Sequence, residues 1–132
     1  MRTSLLMALS CTMVLACSSD STSPGDAGPV CAGPVTIAVS SGTSPSFSWT
    51  PACRLFLVNV ELGAGDQWGI ISDSANAIAP PVQYGVVPAG AEQSTSEVTP
   101  LVPGQTYDVN LLYWSGPDAQ DGTFIGSREF TP

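Results

Sequence analysis

The chain has 132 residues, room for one domain, and a formal net charge of −8 from eleven acidic residues against three arginines, with no lysine and no histidine. Nucleic-acid binding and docking on an anionic lipid surface are excluded, because both need a basic patch. A Ser-His-Asp triad, a Ser-Lys pair and Schiff-base chemistry are excluded for want of His and Lys. A charged fraction of only 11%, with 13 Gly and 12 Pro, favours short strands joined by tight turns.

In chain order, Met1-Arg2 is followed by a mostly apolar run from Leu5 to Ala16, about a dozen residues where a membrane span needs about 20. This predicts a signal peptide over residues 1–16. The run closes on Val14-Leu15-Ala16-Cys17, which resembles the bacterial lipobox. That resemblance implies cleavage before Cys17, acylation of Cys17, and attachment to the cell envelope through the N-terminal lipid. Ser18 after the cysteine implies, by the same resemblance, the outer membrane. The alternative is a plain secreted protein with Cys17 as a spare thiol. Residues 18–29 are Ser, Thr, Pro, Gly and Asp with almost nothing to bury, so residues 17–30 read as a lipidated cysteine and flexible tether.

Cys31 and Cys53 remain for the domain, which spans residues 31–132. Export favours pairing them, and two thiols without histidine make a poor metal site. Between them lie PVTIAVSS, a period-2 strand; GTSP, a turn; and SFSWTPA, a second strand with Phe47 and Trp49 on one face. One strand out and one back returns the chain to its starting end, which brings Cys31 and Cys53 together.

CRLFLVNVEL predicts a strand in which Phe56, Val58, Val60 and Leu62 alternate with Leu55, Leu57, Asn59 and Glu61. QWGIIS and VQYGVV read as further strands, with the proline-rich stretch between them irregular. After PLVPGQTYDVNLLYW come the loop SGPDAQDG and a last strand, TFIGSREFT. The expected fold is all-β, an antiparallel β-sandwich of about seven strands.

Here the chain resembles the fibronectin type III domain, of the immunoglobulin-like class. The resemblance rests on Leu101-Val102-Pro103-Gly104-Gln105-Thr106-Tyr107 with Val109 and Leu111, on Trp49 in SFSWTP, and on the closing GSREFTP. It implies a structural corner formed by Leu101, Pro103, Gly104 and Tyr107. It also turns Leu55, Leu57, Asn59 and Glu61 outward and Phe56, Val58, Val60 and Leu62 inward, and makes their strand a neighbour of the one after Tyr107, so that Leu57, Leu112 and Trp114 share an outward apolar patch which Trp68 extends. Such a patch suits a protein or glycan ligand; the alternative is that the long middle segment, Asp73 to Thr95, folds over and covers it.

Glu61, Asp66, Asp73, Glu92, Glu97, Asp118 and Asp121 are the carboxylates available for glycosidase-type chemistry, but they are expected in or beside turns as solubilising charges. Asp118 and Asp121 share one loop and are weak candidates for calcium, without the spacing of an EF-hand. No cofactor is expected. The functional expectation is a non-enzymatic, lipid-anchored envelope protein displaying one sandwich for binding or adhesion. The alternatives are a purely structural envelope component and a carbohydrate-binding accessory protein.

Overall fold

A computed structural model describes residues 28–116 and 122–132. Cys17, the expected signal peptide, most of the expected tether, and Asp118 and Asp121 lie outside them. Eight strands are described: β1 (Thr36–Val39), β2 (Ser46–Thr50), β3 (Leu57–Leu62), β4 (Gly65–Ser72), β5 (Val82–Gln83), β6 (Ala91–Gln93), β7 (Tyr107–Tyr113) and β8 (Thr123–Phe130). They form two antiparallel sheets, one ordered β1-β2-β5 and the other β6-β4-β3-β7-β8. The all-β, two-sheet expectation is met.

The strands form where the period-2 pattern is cleanest. On β2, Phe47 and Trp49 point inward and are buried, while Ser46 and Ser48 on the other face are half-buried. On β7, Tyr107, Val109 and Leu111 do the same. They meet Ile37, Val58, Val60, Trp68, Ile70 and Phe130 in one core between the sheets. Aromatic rings carry the contact across: Phe130 meets Phe47 edge-on at 5.5 Å and stacks on Tyr107 at 5.8 Å. Edge-to-face and offset arrangements suit the ring quadrupoles and add about 0.5–1.5 kcal/mol per pair to simple burial.

Three departures from alternation reshape the expected faces. First, the strand after Cys53 begins only at Leu57. Leu55, expected outward, is fully buried, because it exchanges two backbone hydrogen bonds with Ile78 (2.8 and 3.1 Å) instead of continuing the β3 ladder. Phe56, expected inward, is half-buried.

Second, β4 carries a bulge. Val60 pairs with Trp68 but Glu61 pairs with Asp66, which leaves Gln67 as the extra residue. Trp68 therefore faces the same side as buried Val60 and has no exposed surface.

Third, β8 bulges between the partners of Leu111 and Leu112, which are Gly126 and Phe124. The extra residue, Ile125, turns into the core, and Phe124 is 59% exposed on the outer face. Strict alternation from Phe130 would give the opposite parity.

The middle of the chain travels round the sandwich. Residues 73–78 reach back to the strand ends, Asn76 bonding Trp114 and Ile78 pairing with Leu55, β5 joins the three-stranded sheet beside β2, and β6 returns to the β4 edge. Beyond β6, Ser94 N donates to Gly69 O and Thr99 N to Gln67 O, both at 2.9 Å. The loop thereby takes up groups that β6 is too short to pair, and the sheet edge is not left open.

Candidate functional site

The Cys31–Cys53 disulfide closes the pole where the chain enters the domain, with the two Cα atoms 4.8 Å apart. Residues on both sides reinforce it. Cys31 N donates to Arg54 O at 2.9 Å and Arg54 N to Pro29 O at 2.7 Å, which pairs Val30 with Arg54 as a parallel bridge. The Arg54 side chain donates to Gly28 O, and Trp49 Nε1 to Cys53 O. At the same end, Asn76, only 6% exposed, bonds the backbone of Trp114 twice. Nothing in the sequence singled out this asparagine.

The corner before β7 is built on a turn. Gln105 N donates to Val102 O at 3.2 Å, Pro103 takes the second position, and Gly104 takes the third at φ +81°. This is a type II turn, whose third residue needs the left-handed region. The turn folds Leu101 into the core and places the Tyr107 hydroxyl 2.9 Å from Val102 N, which donates to it. The same tyrosine anchors the end of the sheet by its ring and the turn by its oxygen.

The outer face of the five-stranded sheet is read from its registers. Ile71, Leu57, Leu112 and Phe124 are successive partners across β4, β3, β7 and β8. Leu57 and Leu112, both sequence-predicted, therefore lie side by side, half-buried. Phe124 extends this apolar row to the sheet edge. There it adjoins a shallow groove of about 340 Å³ lined also by Ala32, Pro34, Tyr113 and Ile125. Trp114 is half-buried one step beyond the end of β7.

Trp68 does not belong to this patch. It faces the core, its ring 5.2 Å from that of Tyr84, and its Nε1 has no hydrogen-bond partner. Sequence reading also missed Phe124, because a bulge that inverts strand parity leaves no mark in the hydrophobic pattern.

Glu61 and Asp66 flank the turn between β3 and β4, and Glu92 lies on β6 just after the turn at Ala89-Gly90, beside turns as expected. Asn59 Nδ2 donates to Glu61 Oε1 and Asp66 Oδ1, both at 2.8 Å. Asp66 and Glu97 line a polar hollow of about 370 Å³ with Ser94, Thr95, Ser96 and Thr99. Among the described residues, no three carboxylate or cysteine side chains gather as a metal-binding group. One titratable group is displaced. The Tyr84 phenol is pushed up to about 12, first by burial and secondarily by Tyr107; it donates to Thr99 O at 2.6 Å.

Fold and site together define a disulfide-closed, all-β domain of two packed antiparallel sheets, with an apolar row across the outer face of the larger one. Comparison with protein families, with curated proteins and with solved structures found no match.

Proposed function

We propose that the chain is a non-enzymatic, lipid-anchored envelope protein that displays one fibronectin type III-like sandwich and binds a partner through the outer face of its larger sheet. The row Leu57–Leu112–Phe124 carries the reading. Phe124 is exposed and Leu57 and Leu112 lie half-buried beside it, and apolar surface gathered in adjacent register suits a binding face. The fibronectin-like assignment is supported by β3 and β7 lying side by side, by Trp49 facing inward from β2, and by the Tyr107 hydroxyl at the turn before β7. The β6 return to the β4 edge is an addition to that pattern. A glycan platform is the weaker reading, since buried Trp68 cannot stack on a sugar ring.

Two measurements test the proposal. Metabolic labelling with a fatty-acid probe should mark the wild-type chain and not Cys17→Ala; label on both would remove the anchor. Leu57→Ser with Leu112→Ser should abolish capture of an envelope ligand while the melting temperature holds to within a few degrees. A large fall in melting temperature would make these residues core, and undiminished capture would move the binding elsewhere.

A further inference from the structure

The outer face of the five-stranded sheet is zoned along its strands. The apolar row lies at one end, and a row of Asn59, Asn110 and Ser127 crosses the middle. At the other end Asp66, Glu61, Asp108 and Glu129 are successive partners on β4, β3, β7 and β8. Each carboxylate stands directly opposite the next. Like charges placed so destabilise a sheet.

Among the described residues, the relief inside the row is the Asn59 amide, which donates to Glu61 and Asp66. Both arginines among the described residues are engaged elsewhere. Arg54 bonds Gly28 O near the disulfide, and Arg128 bonds Ile37 O on the smaller sheet. Three like-charge contacts in a line, with no basic side chain answering them among the described residues, are a local inconsistency of the kind proteins keep at functional surfaces.

We propose that this face is a docking surface for a cationic, amphipathic segment of another protein, whose apolar side chains seat on Leu57, Leu112 and Phe124 and whose Lys or Arg side chains meet Glu61, Asp108 and Glu129. The proposal rests on the binding role given to this face above and adds the partner's chemistry. Leu57 and Glu61 are four residues apart on β3, so the two zones are separated by roughly 13 Å at 3.3–3.4 Å per residue. About two and a half helical turns or four extended residues of the partner cover that distance. Charge complementarity selects this occupant. A second copy of the chain brings the same acidic row and a net charge of −8. Anionic lipid and nucleic acid are repelled by the same carboxylates.

The test uses the full chain in detergent and two 14-residue probes, one alternating Lys and Leu, the other Glu and Leu. The Lys-Leu probe should bind and the Glu-Leu probe should not. Glu61→Gln with Asp108→Asn should weaken binding at least tenfold and flatten its salt dependence, with a melting temperature equal to or above wild type because repulsion is relieved. Asp20→Asn with Asp26→Asn, the same change in net charge at positions outside the described residues, should leave binding within twofold. Equal loss from both pairs would reduce the effect to bulk charge and overturn the site. Loss from Leu57→Ser with Leu112→Ser alone would keep the binding face and overturn the cationic partner. No loss from any pair would overturn both.

Discussion

Asn76 and the main chain of Trp114 hold each other by two hydrogen bonds: Asn76 Nδ2 donates to Trp114 O at 2.8 Å, and Trp114 N donates to Asn76 Oδ1 at 2.7 Å. The amide acts as one residue of an extra strand, closing the ladder just where β7 ends. The loop that carries it is itself pinned, since Ala77 N and Ser74 N both donate to the buried Ser72 hydroxyl. Asn76→Ala removes both of these hydrogen bonds in a half-buried place, at about 0.5–1.5 kcal/mol net for each. We expect a loss of about 2 kcal/mol in urea unfolding and faster amide exchange at Trp114. A loss under about 0.5 kcal/mol would make the contact incidental.

The disulfide should contribute chiefly by restricting the unfolded chain. For a sequence separation of 22, the chain-entropy relation gives roughly 3 kcal/mol. Replacing both cysteines by Ala should lower unfolding free energy by that order while the sheets still form. The backbone bonds of Cys31 and Arg54 remain to hold the pole together. Loss of all cooperative unfolding would show that the bridge is needed for folding itself.

Tyr84 makes stability depend on alkaline pH. Its phenol is held protonated up to about 12 in the folded chain, against an ordinary value of 10.0. Between these values the unfolded state has lost the proton and the folded state has not, so stability is present in full below pH 10 and declines as pH rises toward 12. With solvent screening of the phenol, the decline should amount to about 1 kcal/mol. Urea midpoints between pH 8 and 11 measure its onset. Tyr84→Phe should flatten the slope, and an unchanged slope would assign it to another group.

The corner before β7 separates a hydrogen bond from a backbone demand. Tyr107→Phe keeps the ring against Phe130 and removes the acceptor for Val102 N, a loss of about 1 kcal/mol. Gly104→Ala meets no atom within 4 Å, yet it must adopt φ +81°. Left-handed strain of that kind costs about 1–3 kcal/mol. The two changes share a turn, so their effects should fall short of additive. Full additivity, measured in a double-mutant cycle, would mean the hydroxyl and the turn act independently.

How far the chain is legible without its structure depends on what decides each feature. Alternation over Ser46–Thr50 and Tyr107–Tyr113 marks their inward faces correctly, because both sit mid-sheet with one face dry. The pairing of Cys31 with Cys53 follows from counting one strand out and one back, and the turn at Pro103-Gly104 from residue types that suit few other conformations. These are local matters. The parity of Leu55, Trp68 and Phe124 is not, since a bulge or a strand end inverts it through a partner distant in sequence: Ile78 for Leu55, Val60 for Trp68, Leu112 for Phe124. Asn76 meets Trp114 across 38 residues, and the acidic row exists only because four strands bring Asp66, Glu61, Asp108 and Glu129 into one register. Strand propensity, turns and the disulfide thus belong to the amino-acid order, while which side chains share the outer surface was decided by pairing between strands, where one inserted residue exchanges inside for outside.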